Sequence, residues 1–300
     1  MDRYLKNSII QELDLVEFTE RGISLSIKRD DLIHKEVSGN KWRKLKYNII
    51  QAEQNQKKGV LTFGGAYSNH LIAVAAACNE LSIESIGFVR GDELNSNSNE
   101  VMSRCSALGM RLIFISREEY ALRNDKMYVD QLKSDFLGFY IVPEGGANYY
   151  GMIGCQEIWS EIKKEYDHVF VAQGTTTTSC GLLIGLPEMT ALHVVPVLKG
   201  FDSISEMRKL LQWSFLDEGD LNALFERTFV HDSYHFGGYG KADNLFIESL
   251  NQVVKRIHVP LDKVYTGKAF LAMIDILGDV SFNNSSILFI HTGGIHSVTE

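Results

Sequence analysis

The chain of 300 residues carries 45% hydrophobic and 23% charged side chains, a composition that is typical of globular proteins and excludes the disordered and fibrous classes. Its length admits two domains of ordinary size. The formal net charge is −8 and the sequence has no long block of like charges, so we do not expect a nucleic-acid partner.

The cysteines and the hydrophobic pattern indicate where the protein works. The four cysteines are widely spaced and form no Cys-x-x-Cys pair, so neither a zinc site nor a disulfide framework is predicted. Cys78 follows a run of small apolar residues and is predicted to be buried. The N-terminus lacks the apolar core of a signal peptide, and no stretch approaches the ~20 apolar residues of a spanning helix. We therefore expect a cytoplasmic protein with no membrane contact and no bound metal.

In the first half of the chain, short β-branched runs alternate with segments of helical period, which predicts βαβ units and a parallel sheet. The predicted strands here are 59–63, 85–89, 112–115 and 139–142, and the predicted helices are 71–81 and 101–108.

After residue 148 the same alternation begins again. The predicted strands are 168–172, 193–198, 228–231 and 286–291, and the predicted helices are 152–165, 179–186, 245–253 and 267–277. No internal repeat or low-complexity linker interrupts the pattern. We therefore predict a smaller α/β domain at 46–147, inserted into a larger α/β domain formed by 1–45 and 148–300.

Polar segments that follow predicted strands are candidate sites, because parallel sheets bind ligands beyond the carboxyl ends of their strands. The first candidate is Lys41, which comes directly after Gly39-Asn40 at a predicted helix start. The positive end of a helix dipole and nearby cations favour the free amine of a lysine, which is the form that makes an imine. The alternative is a solvated basic helix face formed by Lys41, Arg43, Lys44 and Lys46.

The second candidate segment follows the strand at 59–63 and begins with Gly64-Gly65. Paired glycines let the backbone approach a ligand closely. Ser68, Asn69 and His70 then offer a hydroxyl, an amide and an imidazole at the start of a helix. The alternative is an N-cap serine or asparagine before an ordinary helix.

The third candidate segment runs from Gly174 to Gly181 and contains four consecutive threonines, Thr175, Thr176, Thr177 and Thr178. Backbone N–H groups at a helix start, surrounded by hydroxyl donors, suit a dianionic phosphate. The segment matches neither nucleotide-binding fingerprint, G-x-x-x-x-G-K-[ST] or G-x-G-x-x-G. The alternative is a polar loop, because threonine is a poor helix former.

A fourth group of polar side chains lies near the C-terminal strands. Tyr265, Thr266 and Thr292 are candidates for proton transfer and for binding an aromatic ring nitrogen, and simple turns are the alternative. The chain has no H-E-x-x-H or G-x-S-x-G sequence, so metal or serine-hydrolase chemistry is not supported.

The order of these segments resembles one enzyme family. The succession is Arg29-Asp30-Asp31, Gly39-Asn40-Lys41-x-Arg43-Lys44-Leu45, Gly64-Gly65-x-x-Ser68-Asn69-His70, Pro143-x-Gly145-Gly146-x-Asn148-x-x-Gly151, the Gly174–Gly181 loop, Val264-Tyr265-Thr266-Gly267-Lys268 and Thr292-Gly293-Gly294. It resembles the D-cysteine desulfhydrase and 1-aminocyclopropane-1-carboxylate (ACC) deaminase family, within the tryptophan-synthase-β-like (fold type II) pyridoxal-phosphate enzymes. The resemblance extends from Ile27 to Gly294.

The resemblance implies two open twisted, mostly parallel sheets flanked by helices, a pyridoxal 5'-phosphate cofactor, a small amino-acid substrate and a homodimer. By position, Lys41 resembles the Schiff-base lysine, Asn69 the residue that binds the phenolic oxygen of the cofactor, and Ser68 the active-site serine, with His70 beside the substrate. The loop from Gly174 to Thr178 matches the phosphate site, and Thr266 and Thr292 match the neighbourhood of the pyridine nitrogen. Tyr265 resembles a tyrosine that faces the substrate, and Tyr239 matches a second such tyrosine in a segment that departs from the family pattern. Ser38 and the loop threonines stand where relatives often have glycine.

The resemblance also implies the reaction. The substrate amine replaces Lys41 on the cofactor, the α-proton is removed and a β-leaving group departs, with Tyr265, Tyr239 and Ser68 as candidate acid–base groups. A 2-oxo acid and ammonia are the products, which for D-cysteine means pyruvate, ammonia and sulfide. The segment Tyr265-Thr266-Gly267-Lys268 resembles a segment that reads Tyr-Glu-Gly-Lys in ACC deaminases, with threonine in place of the glutamate. We therefore favour D-cysteine desulfhydrase-like elimination. The alternatives are ACC deamination, cofactor binding without turnover and an unrelated nucleotide-binding α/β enzyme.

Overall fold

The computed structural model describes residues 8–34, 36–37, 39–214 and 216–294; Ser38 lies outside the described residues. The fold is α/β with two sheets flanked by helices, which confirms the predicted fold class. The described residues form two compact units. The smaller contains residues 34, 36–37 and 41–154, and the larger contains residues 8–33, 39–40 and 155–294.

The regular elements of the described residues alternate along the chain. The strands are β1 (Ile10–Leu13), β2 (Ser24–Arg29), β3 (Gly59–Gly65), β4 (Glu84–Arg90), β5 (Arg111–Ile115), β6 (Phe139–Val142), β7 (His168–Gln173), β8 (Ala191–Pro196), β9 (Thr228–Val230) and β10 (Ser286–His291). The α-helices are α1 (Val16–Thr19), α2 (Asn40–Gln54), α3 (Asn69–Glu80), α4 (Glu100–Ala107), α5 (Arg117–Ala121), α6 (Lys126–Asp135), α7 (Tyr149–Gln156), α8 (Thr177–Ile184), α9 (Ser203–Leu211), α10 (Glu218–Glu226), α11 (Asn244–Ile257) and α12 (Thr266–Ile276).

The smaller unit has a four-stranded, fully parallel sheet in the order β5-β4-β3-β6. The central strands β3 and β4 are buried along most of their length, as expected for parallel strands that helices cover on both faces. Phe63 packs against Phe88 and Tyr120 in the core of this unit. The carboxyl end of β3 is Gly64-Gly65, so the segment from Ser68 onward follows the end of a central strand.

The larger unit has a six-stranded sheet in the order β1-β2-β10-β7-β8-β9, in which only the edge strand β1 runs antiparallel to its neighbour. The helices α11 and α12 bury Phe246 and Phe270 in the same apolar core as Phe170 and Phe289 of the sheet. The neighbouring strands β2, β10 and β7 are parallel, so the chain segments that follow them leave the sheet at one edge.

The strands were predicted more accurately than the helices. Every predicted strand is present, with ends that shift by two residues or fewer. The predicted helix 152–165 is wrong in extent, because α7 ends at Gln156 and a 3-10 helix occupies Glu157–Glu161. In that turn the indole N–H of Trp159 donates to the carbonyl of Leu182 at 2.8 Å. Cys78 is buried, as predicted. Within the described part of the chain, no helix has both the length and the hydrophobicity to cross a membrane.

Three histidines form a hydrogen-bonded chain across β7, β8 and the residue after β9. His168 Nδ1 lies 3.0 Å from His193 Nε2, and His193 Nδ1 lies 2.9 Å from His231 Nε2. His193 is buried and stacks on Phe170 at 4.3 Å between ring centroids. Burial lowers the pKa of all three imidazoles, and that of His193 to about 3 because the two neighbouring histidines add to the effect. The three rings are therefore neutral at pH 7.

Acid should destabilise the fold through this histidine chain. Unfolded histidines titrate near pH 6.5, so the unfolded state binds more protons than the folded state as the pH falls from 6.5 toward 3, and stability is lost over that window. His193→Phe removes the most strongly shifted ring. In this variant the free energy of unfolding should fall less steeply as the pH is lowered, with a slope smaller by up to about 1.4 kcal/mol for each pH unit. Urea denaturation between pH 4.5 and 7 measures this slope.

The exposed His258 at the end of α11 provides the control for the acid experiment. His258 has a left-handed backbone conformation, which asparagine also tolerates, so His258→Asn removes an imidazole without new strain. Equal pH slopes in wild type, His193→Phe and His258→Asn would contradict a role for the buried chain.

Candidate active site

The start of α2 is held by the ends of two neighbouring strands of the larger unit. The Gly39 N–H donates to the Asp30 carbonyl at 3.1 Å, and the Asn40 N–H donates to the Thr292 carbonyl at 3.0 Å. Gly39 has a φ of +66°, and a Cβ there would lie 2.0 Å from the Thr292 oxygen, so only glycine fits. These contacts fix the backbone immediately before Lys41.

Buried ion pairs support the strand end that holds Gly39. Arg29 donates to both carboxylate oxygens of Asp31 at 2.9 and 2.7 Å, and both residues are buried. The Lys28 ammonium lies 3.7 Å from the Asp30 carboxylate and donates to Glu161 at 2.6 Å. Removing one member of such a buried pair is strongly destabilising. The Arg29-Asp30-Asp31 motif therefore shapes the site rather than contributing reacting groups.

The basic residues at the start of α2 do not form a solvated face. Arg43 and Lys44 are buried, whereas Lys41 is half-buried. A Cβ at Gly154 would lie 1.9 Å from the Arg43 carbonyl oxygen, and one at Gly146 would lie 2.9 Å from the Lys44 Cβ. The glycines of the Pro143–Gly151 motif and of α7 thus let the backbone pack closely on α2. The alternative of a basic surface helix is wrong.

The segment Ser68-Asn69-His70 begins α3 in the smaller unit. Ser68 is the N-cap, and its hydroxyl oxygen accepts the Leu71 N–H at 3.4 Å, so the capping interpretation applies to this residue. Gly64 is tightly packed against it, because a Cβ there would lie 2.8 Å from the Ser68 hydroxyl oxygen. Ser68 and Asn69 are half-buried.

His70 points toward the sheet of the smaller unit. The ring is buried, and Nε2 lies 2.9 Å from the Thr62 hydroxyl oxygen. The Thr62 hydroxyl donates to the Val142 carbonyl at 2.8 Å, so Nε2 must carry the hydrogen. Burial, reinforced by the charges of Lys41 and Lys44, holds the pKa of His70 well below its ordinary value. His70 is a neutral ring whose Nε2 is used inside the unit, whereas its buried Nδ1 has no hydrogen-bond partner among the described residues, so a substrate contact stays a prediction for Nδ1 alone.

The threonine-rich loop joins β7 to α8 in the larger unit. Gly174 and Thr175 are half-buried, and Thr176, Thr177 and Thr178 are buried. The first N–H groups of a helix lack intrahelical partners, so α8 directs donors into this loop, and its first turn contains no acidic side chain.

Two further hydroxyls make the start of α8 suitable for an anion. The Thr178 hydroxyl oxygen accepts a hydrogen bond from the Asn40 side chain at 2.9 Å, which leaves the hydroxyl hydrogen available for donation. The Ser179 hydroxyl is fully buried and has no hydrogen-bond partner among the described residues. An unpartnered buried donor is costly, and a phosphate oxygen accepts from such a donor. The donor set fits a phosphate dianion.

Two tyrosines and the phosphate-loop glycine come together in the larger unit. The rings of Tyr239 and Tyr265 meet edge to face at 6.0 Å between centroids. A Cβ at Gly174 would lie 2.7 Å from the Tyr265 ring, so the ring rests on the loop backbone. Tyr239 is exposed and Tyr265 is half-buried. Tyr239 belongs to a segment that departs from the family pattern, and in the structure it lies beside Tyr265.

The Thr266 hydroxyl is hydrogen-bonded to the buried carboxylate of Asp262, a residue that was not predicted from the sequence. The hydroxyl donates to Asp262 Oδ2 at 2.6 Å and accepts from the Asp262 N–H at 3.0 Å. The other oxygen of Asp262 accepts the N–H groups of Val264 and Tyr265 at 2.8 and 2.6 Å. Asp262 therefore caps the start of α12. Aspartate side chains commonly accept the backbone N–H two residues on, so Asp262 before a helical segment was an available signal of such a turn.

Thr292 has a different environment from Thr266. Thr292 follows β10 and is largely buried, and its carbonyl rather than its hydroxyl holds Asn40. The larger unit thus groups Asn40, Thr178 and Thr292 at the ends of β10 and β7. In the described ranges, no group of three or more acidic, histidine or cysteine side chains has a geometry that holds a metal ion.

An α/β fold in which the start of a helix offers buried hydroxyl and N–H donors is typical of enzymes that bind a phosphorylated cofactor. The model of the family described as pyridoxal-phosphate dependent enzyme matches residues 10–293. The chain belongs to this family, and its cofactor is pyridoxal phosphate.

The relatives are similar over nearly the whole chain. A Thermotoga maritima protein named "Putative 1-aminocyclopropane-1-carboxylate deaminase" is 31% identical, with 93% of each chain covered. A Pyrococcus abyssi protein of the same name is 29% identical over 93% of this chain and 87% of that relative. The crystal structure of an ACC deaminase homologue has a TM-score of 0.80 at 28% identity, covering 98% of this chain and 91% of the other. The resemblance inferred from the motifs is confirmed at the level of the family.

The hydroxyl donors of the threonine-rich loop fit the phosphate of the cofactor. Replacing these threonines should therefore weaken the binding of pyridoxal phosphate. Each charge-assisted hydrogen bond contributes roughly 1.5–3 kcal/mol. A Thr175/Thr177/Thr178 triple alanine variant should therefore purify nearly colourless while it keeps the far-ultraviolet circular dichroism of the wild type. Cofactor affinity is measured by titrating the apoprotein with pyridoxal phosphate and following visible absorbance. An unchanged affinity in the folded triple variant would place the phosphate elsewhere.

Proposed function

We propose that the protein is a pyridoxal-phosphate-dependent lyase that eliminates a β-substituent from a small amino acid, with D-cysteine as substrate and pyruvate, sulfide and ammonia as products. The observation that carries this choice is at position 266. A carboxylate at this position is the ACC deaminase pattern, whereas Thr266 has a hydroxyl that is bonded to Asp262. No charge from position 266 is then available to hold a proton on the pyridine nitrogen.

Bound pyridoxal phosphate supplies an electron sink at the α-carbon of the substrate. In our proposal Lys41 anchors it covalently, because the residue stands at the rigid helix start after Gly39 and Asn40. The Thr175–Thr178 hydroxyls and the N–H groups of α8 bind its phosphate, and Asn69 binds its phenolic oxygen. These groups hold the cofactor and orient its reactive carbon.

We assign the contact with the pyridine nitrogen to Thr292 rather than Thr266. The hydroxyl hydrogen of Thr266 is donated to Asp262, and a hydroxyl has only one hydrogen to donate. Thr292 lies at the end of β10, and its carbonyl is the group that binds Asn40. A neutral hydroxyl stabilises a protonated ring less than a carboxylate does, which suits elimination of a good leaving group.

Proton transfer is proposed for Lys41, Tyr265, Tyr239 and Ser68. The tyrosine pair is in edge contact, so the two phenols are held next to each other at the phosphate loop. The Ser68 oxygen accepts a backbone N–H, and its hydroxyl hydrogen is available for donation. General acid–base assistance of this kind contributes about 10²–10⁴-fold.

Lys41→Ala should abolish the visible absorbance of the lysine-bound cofactor, because the variant has no amine at the rigid end of the Gly39-Asn40 segment. Borohydride reduction followed by peptide mass analysis should locate the modified lysine at position 41 in the wild type. Lys44→Met is the matched control, since Lys44 is on the same helix and its aliphatic replacement preserves volume. Loss of absorbance in Lys44→Met with retention in Lys41→Ala would transfer the anchor to Lys44.

ACC deamination is the second candidate function, because the named Thermotoga and Pyrococcus relatives are described as deaminases of that substrate. Opening a cyclopropane ring demands a stronger electron sink than loss of sulfide does. The threonine at position 266 is the feature of this chain that disfavours it. The remaining alternative is a protein that binds the cofactor without turnover.

A substrate screen separates these candidates. The wild type should release pyruvate and sulfide from D-cysteine at least about 100-fold faster than it releases 2-oxobutyrate from ACC, which corresponds to roughly 2.7 kcal/mol in activation free energy. Both 2-oxo acids are measured by a coupled dehydrogenase assay, with L-cysteine and D-serine as comparison substrates. Efficient ACC turnover without D-cysteine turnover would promote the deaminase, and no turnover of any amino acid would promote the inert binder. A homodimer and a cytoplasmic location remain predictions.

A further inference from the structure

Lys268 is a buried cation that the proposed chemistry does not use. It lies on α12 with 0% of its side chain exposed, and burial lowers its pKa. The Nζ donates to the carbonyl oxygens of His235 at 2.9 Å and Gly238 at 2.7 Å. Burying an ammonium carries a desolvation cost that an aliphatic side chain of similar volume does not incur. The hydrogen bonds of the Lys268 ammonium are those to the two carbonyls, and the Asp262 carboxylate adds a favourable charge interaction.

The two carbonyl groups belong to a loop with an unfavourable backbone. Phe236 has a φ of +46°, and Gly237, Gly238 and Gly240 have φ values of +85°, +106° and +66°. The left-handed region is unfavourable for a non-glycine residue, so Phe236 keeps this conformation only where its surroundings hold it. Lys268 binds the carbonyls on either side of the turn at Phe236-Gly237. It is placed to hold that turn closed.

The residue that follows this turn is Tyr239, the second tyrosine of the candidate site. Its ring meets Tyr265 at 6.0 Å between centroids, and Tyr265 is the residue immediately before α12. Lys268 thus fastens the loop that carries Tyr239 to the helix whose start carries Tyr265. The hydrogen bonds of one side chain therefore link the two segments that carry the phenols.

We propose that Lys268 is a positioning residue that fixes Tyr239 against Tyr265 and so determines how the amino-acid substrate is held. The substrate-facing role of Tyr239 rests on the proposed function, whereas the anchoring of the loop rests on the contacts of Lys268 alone. The cofactor contacts proposed above involve other residues, so loss of the anchor acts on substrate binding rather than on cofactor retention.

Lys268→Met tests this role, because methionine fills the buried space and cannot donate. Lys241→Met is the matched control, since Lys241 is an exposed lysine in the same loop. Loss of two hydrogen bonds from a charged donor should accelerate amide hydrogen exchange in the peptide covering 236–241 by at least about tenfold. The KM for D-cysteine should rise by about tenfold or more, with visible cofactor absorbance retained. Lys241→Met should match the wild type in all three measurements.

A double-mutant cycle shows whether Lys268 acts through the tyrosine. In a Tyr239→Ala background, Lys268→Met should change kcat/KM by less than about twofold if Tyr239 is the residue that it positions. A full additional loss in that background, or unchanged exchange in Lys268→Met, would overturn the proposal.

Hydrogen exchange of the wild type tests the anchoring of the loop without any variant and without turnover. If Lys268→Met does not fold, hydrogen exchange of the wild type decides, since the Gly238 and Lys241 amides should be protected to within about tenfold of the α12 amides. Rapid exchange of both amides would show that the loop is not anchored. If the wild type turns over no amino acid, the proposed function fails, while the exchange comparison still decides the role of Lys268.

Discussion

The candidate site depends on the two backbone hydrogen bonds that join Gly39 and Asn40 to Asp30 and Thr292. Both acceptors follow strands that are parallel neighbours in the sheet, β2 and β10, so the register of the sheet sets their spacing. The side chain of Asn40 extends the same arrangement to β7 through Thr178. The ends of three adjacent strands thus fix the position of Asn40, the residue before Lys41. Preorganisation of this kind is what a covalently anchored cofactor requires.

A second group of contacts that depend on one another surrounds the N-terminus of α12. Asp262 accepts hydrogen bonds from the backbone and the hydroxyl at its N-terminus, and the carboxylate raises the pKa of Lys268, which opposes the effect of burial. The negative side chain is at the positive end of the helix dipole. Because Thr266 is part of this cap, its identity affects helix geometry as well as the electrostatics of the site. A glutamate at position 266 would have to leave the cap to reach a ring nitrogen.

The sequence predicts most of the strands well because their signals are local. Apolar runs such as 168–172 form buried strands, and the glycines that end them mark the ligand edge. The strands β1 and β2 were missed because half or more of their residues are polar; in β2 most of these polar residues are buried by distant partners, whereas those of β1 are half-buried or exposed. Lys28 is the clearest case, since it pairs with Glu161 at a separation of 133 residues.

Side-chain direction could not be predicted within the candidate segments. Ser68 and His70 are two residues apart, and the sequence treats both as ligands, yet the His70 ring faces Thr62. The burial of Arg43 and Lys44 likewise follows from the glycines at 146 and 154, which are about a hundred residues further along the chain. A tautomer, a hydroxyl direction or a buried lysine depends on tertiary neighbours that no local pattern contains.

The pairing of β2 with β10 has a consequence for biosynthesis. Residues 24–29 pair with residues 286–291, so during synthesis β2 waits until a segment 262 residues further along the chain has been translated. At elongation rates of about 5–20 residues per second, the delay lasts roughly 13–50 seconds. Until then Asn40 has no Thr292 carbonyl to bind, and the start of α2 lacks one of its two backbone contacts with the larger unit. A nascent chain that has not yet completed β10 therefore exposes the edge of β2 and cannot fix the start of α2.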